Sequence, residues 1–255
     1  MFLRNERFSE YIRFYPIVSW LIAINLFIYV WTGFFPFLGG QEIQLLGIGN
    51  NIAVLVYDEW WRLLTPIFLH ATIMHVAFNS FALFLFGPAL ETLLGRFQFL
   101  LFYLGTGVFA NVVYLFLGDP RISHLGASGA VYGLLGMYLY MAAVRKDLIS
   151  RVNAQTITII IIIGVIMTFI NPGINIIAHL FGMIAGAAVS PLLLRRKTPS
   201  DTYRSASRPA EDEIGFDPDR WRKKEKWKKR RWMYLLSGAA LMIGFFAVVN
   251  WIFFM

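Results

Sequence analysis

The stretch Val152–Leu194, VNAQTITIIIIIGVIMTFINPGINIIAHLFGMIAGAAVSPLLL, holds 43 consecutive residues without an Asp, Glu, Lys or Arg. About 20 helical residues cross a hydrocarbon layer of about 30 Å. The stretch is therefore too long for one crossing and suits two. Asn171-Pro172-Gly173, near its middle, joins a residue without an N–H to a turn former and predicts the break. Working outward, charges punctuate the chain into further uncharged runs: Tyr15–Gln41, Leu63–Leu90, Phe97–Gly118, Ile122–Val144 and Trp232–Met255. Seven transmembrane helices are predicted, and the fold class is an all-α polytopic membrane protein.

Composition agrees. Of 255 residues, 58% are apolar and 15% charged, against about 25% charged in a typical soluble domain. That excludes intrinsic disorder. The chain has no cysteine, which excludes a disulfide scaffold and thiolate ligation of zinc, haem or iron–sulfur clusters. The first apolar run follows basic residues, as in a signal peptide. Its length and the lack of an Ala-x-Ala pattern predict a retained first span.

The net charge of +8 is unevenly placed. Lys and Arg stay on the cytoplasmic side of a membrane. Alternate connecting segments carry 21 of the 23 basic residues; Arg62 and Arg121 alone fall on the other side. The N-terminus is thus expected in the cytoplasm and the C-terminus outside. The segments read as a cytoplasmic stretch 1–14, a six-span core 15–194, a basic cytoplasmic linker 195–231 and a seventh span 232–255. The linker's Lys/Arg run with Trp221, Trp227 and Trp232 fits a juxtamembrane segment on anionic lipid better than a nucleic-acid site.

Polar side chains within spans need a reason, since burying them costs free energy unless they are paired or line water. The second span carries His70, His75 and Asn79. His75 and Asn79 share a helical face, while the five-residue spacing turns His70 away. That spacing suits a shared metal poorly, and there is no HExxH, so no metal or other cofactor is expected. The fourth span opens with Gly126-Ala127-Ser128-Gly129, which places a hydroxyl where helix N–H groups are unpaired. Tyr132 follows one turn later. The sixth span has His179, then Gly182 and Gly186, a smooth strip beside the imidazole. Gly129 and Gly133 give the fourth span a matching strip, so the two helices are expected to press together. With the N-terminus inside, His75, Ser128 and His179 all fall in the first halves of spans running the same way. They should share one depth, in a single polar cavity reached from the outer side.

These residues resemble the rhomboid family of intramembrane serine proteases over about positions 15–194. The likeness rests on Trp61-Arg62, His70, His75, Asn79, Gly126-Ala127-Ser128-Gly129, Tyr132, and Ala178-His179 with Gly182 and Gly186. The appended span resembles the family's six-plus-one form. The resemblance implies a rhomboid-like six-helix bundle with a seventh transmembrane helix. It implies Ser128 as nucleophile, His179 as general base and Tyr132 packing on His179. It implies an oxyanion site of His75, Asn79 and the Ser128 N–H beside Gly126, with structural roles for Trp61, Arg62 and His70. The substrates implied are transmembrane or juxtamembrane segments of other membrane proteins. A helix shields its own peptide bonds, so helix-breaking or small residues are expected near the cut.

Other readings are weaker. His124, four residues before Ser128, is a rival base, but it lies in a loop without a glycine strip. Tyr57-Asp58 and Gly118-Asp119 superficially resemble aspartyl-protease pairs but fall in external loops. A transporter would be expected to show an internal repeat or several intramembrane carboxylates. A catalytically inactive chaperone or trafficking factor on the same fold is the main alternative. The expected setting is a bacterial cell membrane. The sequence identifies neither the substrate nor the oligomeric state.

Overall fold

The structure, a computed structural model, describes residues 6–171 and 173–203. The seventh span and most of the basic linker lie outside the described residues. Among those described, the regular structure is helical: α1 Phe8–Phe14, α2 Pro16–Phe34, α3 Gly40–Gly47, α4 Asn51–Tyr57, α5 Ile73–Leu94, α6 Arg96–Leu117, α7 Ser128–Ala143, α8 Arg151–Ile170, α9 Ile176–Leu194 and α10 Pro199–Tyr203. The long uncharged stretch does divide in two, with α8 ending at Ile170 and α9 beginning at Ile176.

Five helices (α2, α5, α6, α8 and α9) are long and apolar enough to cross a bilayer. The run expected to give the fourth span yields only the sixteen residues of α7, about 24 Å of helix. Its missing first turn is a loop with other commitments. Gly49 and His124 pair backbone to backbone, and the Gly126 N–H donates to the Pro66 carbonyl at 2.8 Å. These bonds hold residues 124–126 out of the helix and delay its start to Ser128.

Helix α7 is the axis of the bundle. Every residue from Gly129 to Tyr138 is buried, as expected of a helix covered on all sides. Its partner α9 lies so close that a Cβ on Gly182 would overlap the Gly129 carbonyl, and one on Gly186 the Gly133 carbonyl. In return, a Cβ on Gly136 would strike the Met183 carbonyl. The expected small-residue strips therefore do face each other, and they let two backbones meet without side chains between them.

The remaining helices are fixed by specific polar contacts. The α5–α6 connection is the single residue Gly95, at φ +85° and ψ 159°, a conformation essentially restricted to glycine. No side chain caps α2 from its own chain neighbours. Instead the buried Glu91 of α5 accepts from the N–H groups of Ile17 and Val18, at 3.1 and 2.9 Å. Arg145, after α7, donates to the Leu194 and Lys197 carbonyls and pairs with Asp147, tying the end of α7 to that of α9. Among the described spans α8 is the most exposed: Ile157, Ile161 and Thr168 are its buried residues, while Ile159, Ile162, Ile163, Ile166 and Phe169 face outward.

Candidate active site

The site is built from three helix starts. Ser128 is the first residue of α7, His75 the third of α5 and His179 the fourth of α9. Thr72 caps α5 by accepting from the His75 N–H at 3.1 Å, and Asn175 caps α9 by accepting from the Ala178 N–H at 2.9 Å. Helix α7 differs. Its N-cap is Ala127, which offers no side-chain acceptor, so the first amides of α7, including that of Ser128, have no capping partner.

Close packing brings these starts together. Gly129, next to Ser128, faces Ala178, next to His179: a Cβ on Gly129 would lie 3.6 Å from the Ala178 carbonyl oxygen and 3.8 Å from its Cβ. Gly126 sits at φ +128°. A Cβ there would stand 2.6 Å from His75 Nε2 and 3.8 Å from Ser128 Oγ. Glycine is thus needed twice at this position, for its backbone angle and for room for the His75 ring. The half-buried Ser128 hydroxyl and the His75 imidazole flank the same glycine.

Tyr132, one turn after Ser128, stacks on His179 with ring centroids 4.1 Å apart and planes at 18°. His179 is buried. Its Nδ1 and Thr168 Oγ1 share a hydrogen bond at 2.9 Å; Ser128 and His179 are not hydrogen-bonded to each other among the described residues. Asn79 is buried on α5 one turn below His75 and spends one amide proton on the His75 carbonyl at 3.0 Å. Its second amide proton is uncommitted. The sequence by itself does not mark Thr168. The available signal was a hydroxyl in the last turn of a span, just before the chain break.

Two expectations about histidines need correction. His70 is not in the second span but in the loop before α5, and it is not turned away from His75. The rings meet edge to face, with centroids 5.0 Å apart. Helical spacing does not apply because the helix begins only at Ile73. His124 is in a loop, as expected; its ring lies 4.4 Å from that of Tyr114 and against Gly49. Burial pushes its pKa down to about 4.

Trp61 and Arg62 finish α3. Trp61 Nε1 donates to the Leu46 carbonyl at 2.9 Å. Arg62 Nη1 donates to the Leu45 and Ile48 carbonyls at 2.7 Å each, and its Nε pairs with Glu59. Thr65 takes the Gly47 carbonyl at 2.7 Å. Four successive carbonyls at the end of a short helix are thereby satisfied. Asn111 of α6 anchors the same loop by donating to the Leu63 carbonyl at 2.9 Å.

Residues 57–196 match the family model described as "Rhomboid domain". The chain belongs to the rhomboid family. It is 40% identical to the rhomboid-family protein YdcA of Bacillus subtilis over 200 residues, covering 77% of this chain and 98% of that protein. It is also 40% identical over 146 residues to the Rhomboid protease GluP of the same organism, covering 57% of this chain but only 28% of GluP. RHOMBOID-like protein 9, chloroplastic, of Arabidopsis thaliana is 30% identical over 201 residues, covering 74% of this chain and 45% of that protein. A multi-pass membrane protein of a family with protease members is thus established. The relatives' names support proteolysis at family level and do not favour the inactive alternative.

Proposed function

We propose that this rhomboid-family protein is an intramembrane serine endopeptidase. In this reading Ser128 is the nucleophile and His179 the general base. The observation that carries it is the packing of α7 on α9, which sets Gly129 against Ala178 and leaves their neighbours Ser128 and His179 at the same end of the bundle. A neutral imidazole would take the serine proton through Nε2 as Oγ attacks the scissile carbonyl, then return it to the leaving amine. Apo geometry in such sites is often loose and tightens with substrate bound.

The developing oxyanion would be met by the uncapped Ser128 N–H, the free amide proton of Asn79 and the His75 imidazole. Loss of one such donor typically lowers turnover by about 10²–10³. Tyr132 would keep the His179 ring in plane. The substrates would be transmembrane or juxtamembrane segments of other proteins, reaching the site near the outer face of a bacterial cell membrane. Residues 15–194 would form the catalytic core.

The test is cleavage of a single-span substrate by detergent-solubilised protein, with fluorophosphonate labelling in parallel. Ser128→Ala should abolish both, and His179→Ala should lower both by at least about 10³. Labelling that survives Ser128→Ala would overturn the assignment. A wild-type protein that neither cleaves nor labels would instead favour the inactive relative.

A further inference from the structure

Thr168 lies in the last turn of α8, three residues before the break, and is about 1% exposed. It stands in a closed set of contacts: Tyr132 OH to the Gly164 carbonyl at 2.7 Å, Tyr132 OH to Thr168 Oγ1 at 2.8 Å, Thr168 Oγ1 to the Gly164 carbonyl at 2.8 Å, and Thr168 Oγ1 to His179 Nδ1 at 2.9 Å. The tyrosine and threonine hydroxyls bring one proton each. If His179 Nδ1 were bare, two protons would have to serve four short contacts. If Nδ1 carries a proton, three protons serve them. Thr168 then gives its own proton to Gly164, its partner one turn back, and accepts from His179.

We infer that Thr168 is a positioning residue that holds His179 as the Nδ1–H tautomer, so that Nε2 is the bare nitrogen left to take the Ser128 proton. The inference rests on the Ser128–His179 reading. It gives a dyad without a carboxylate a neutral third member, supplied by α8. A neutral acceptor is weaker than a carboxylate, so the effect on rate should be modest. An ordinary intramolecular hydrogen bond corresponds to roughly a three- to tenfold change.

The test uses the full chain in proteoliposomes with a single-span substrate. Thr168→Val keeps the shape and removes the acceptor; Thr168→Ser keeps the acceptor. Thr168→Val should lower kcat about three- to tenfold with KM unchanged, while Thr168→Ser stays within about twofold of wild type. Nitrogen NMR of ¹⁵N-histidine protein, with His179 assigned by its loss in His179→Ala, should show the Nδ1–H form in wild type. In Thr168→Val it should show a shift toward Nε2–H. Wild-type kcat in Thr168→Val, or equal losses in both variants, would overturn the inference. So would a wild-type His179 that is mainly Nε2–H, a readout that needs neither variant to fold. Activity surviving Ser128→Ala would sink the dyad instead, while the tautomer spectrum would still decide the Thr168 contact.

Discussion

His124 shows how position decides what an imidazole does. It is four residues from Ser128 in sequence, yet the chain there is not helical, so that spacing has no geometric meaning. Both ring nitrogens are buried without hydrogen-bond partners among the described residues, and the ring is clamped between Tyr114 and Gly49. Burial holds the folded pKa at about 4, below the ordinary 6.5. The stabilisation from this neutral, buried ring is therefore complete above about pH 6.5 and is lost as pH falls toward 4, where the unfolded chain binds the extra proton. His124→Phe should flatten the acid dependence of the detergent melting temperature between pH 6.5 and 4.5. It should leave Ser128 labelling at pH 7 intact. A loss of labelling at unchanged stability would return His124 to the catalytic candidates.

Among the elements, the α7–α9 pair carries the site. Its closeness depends on glycines whose missing side chains are filled by facing carbonyls, so it has no tolerance for bulk. Gly182→Leu should cost more than the about 1–3 kcal/mol of ordinary core overpacking, because the obstacle is backbone and cannot rotate aside. The expected outcome is a lower melting temperature together with lost fluorophosphonate labelling. Gly105→Ala on α6 is the control. A Cβ there meets nothing within 4 Å, so the substitution should be neutral or slightly stabilising through helix propensity. If Gly182→Leu labelled normally, the two helices would not need contact for the site to work. Elsewhere, polar termini are completed by distant residues. Glu91 serves the start of α2, and Trp61, Arg62 and Thr65 serve the end of α3, so these helices hold their ends only within the assembled bundle.

For the whole molecule, orientation is the open dimension. The charge asymmetry predicts Arg121 outside and Lys146 inside, an expectation that the cysteine-free sequence makes directly measurable. In intact cells, an impermeant thiol reagent should label Arg121→Cys and spare Lys146→Cys until the membrane is opened. The reverse pattern would invert the proposed access of substrate. Much of this architecture was legible beforehand because each rule involved was local. A bilayer sets the length of an apolar run, a proline after an asparagine breaks a helix, and small residues every third or fourth position make a flat face. These fixed the membrane class, the division of Val152–Leu194 and the strips on the Ser128 and His179 helices. The start of α7 at Ser128 was expected from the glycines around it; tertiary structure added the bonds that hold it there, from Gly49 and Pro66, about sixty residues or more away in sequence. Tertiary structure alone set His70 against His75, since only the observed start of α5 frees His70 from helical geometry. The Thr168 contact to His179 likewise exists only once the α8–α9 break folds one span back on the next. A hydroxyl in an apolar helix normally bonds its own preceding turn, and nothing in the residue order says that a second partner waits across the gap.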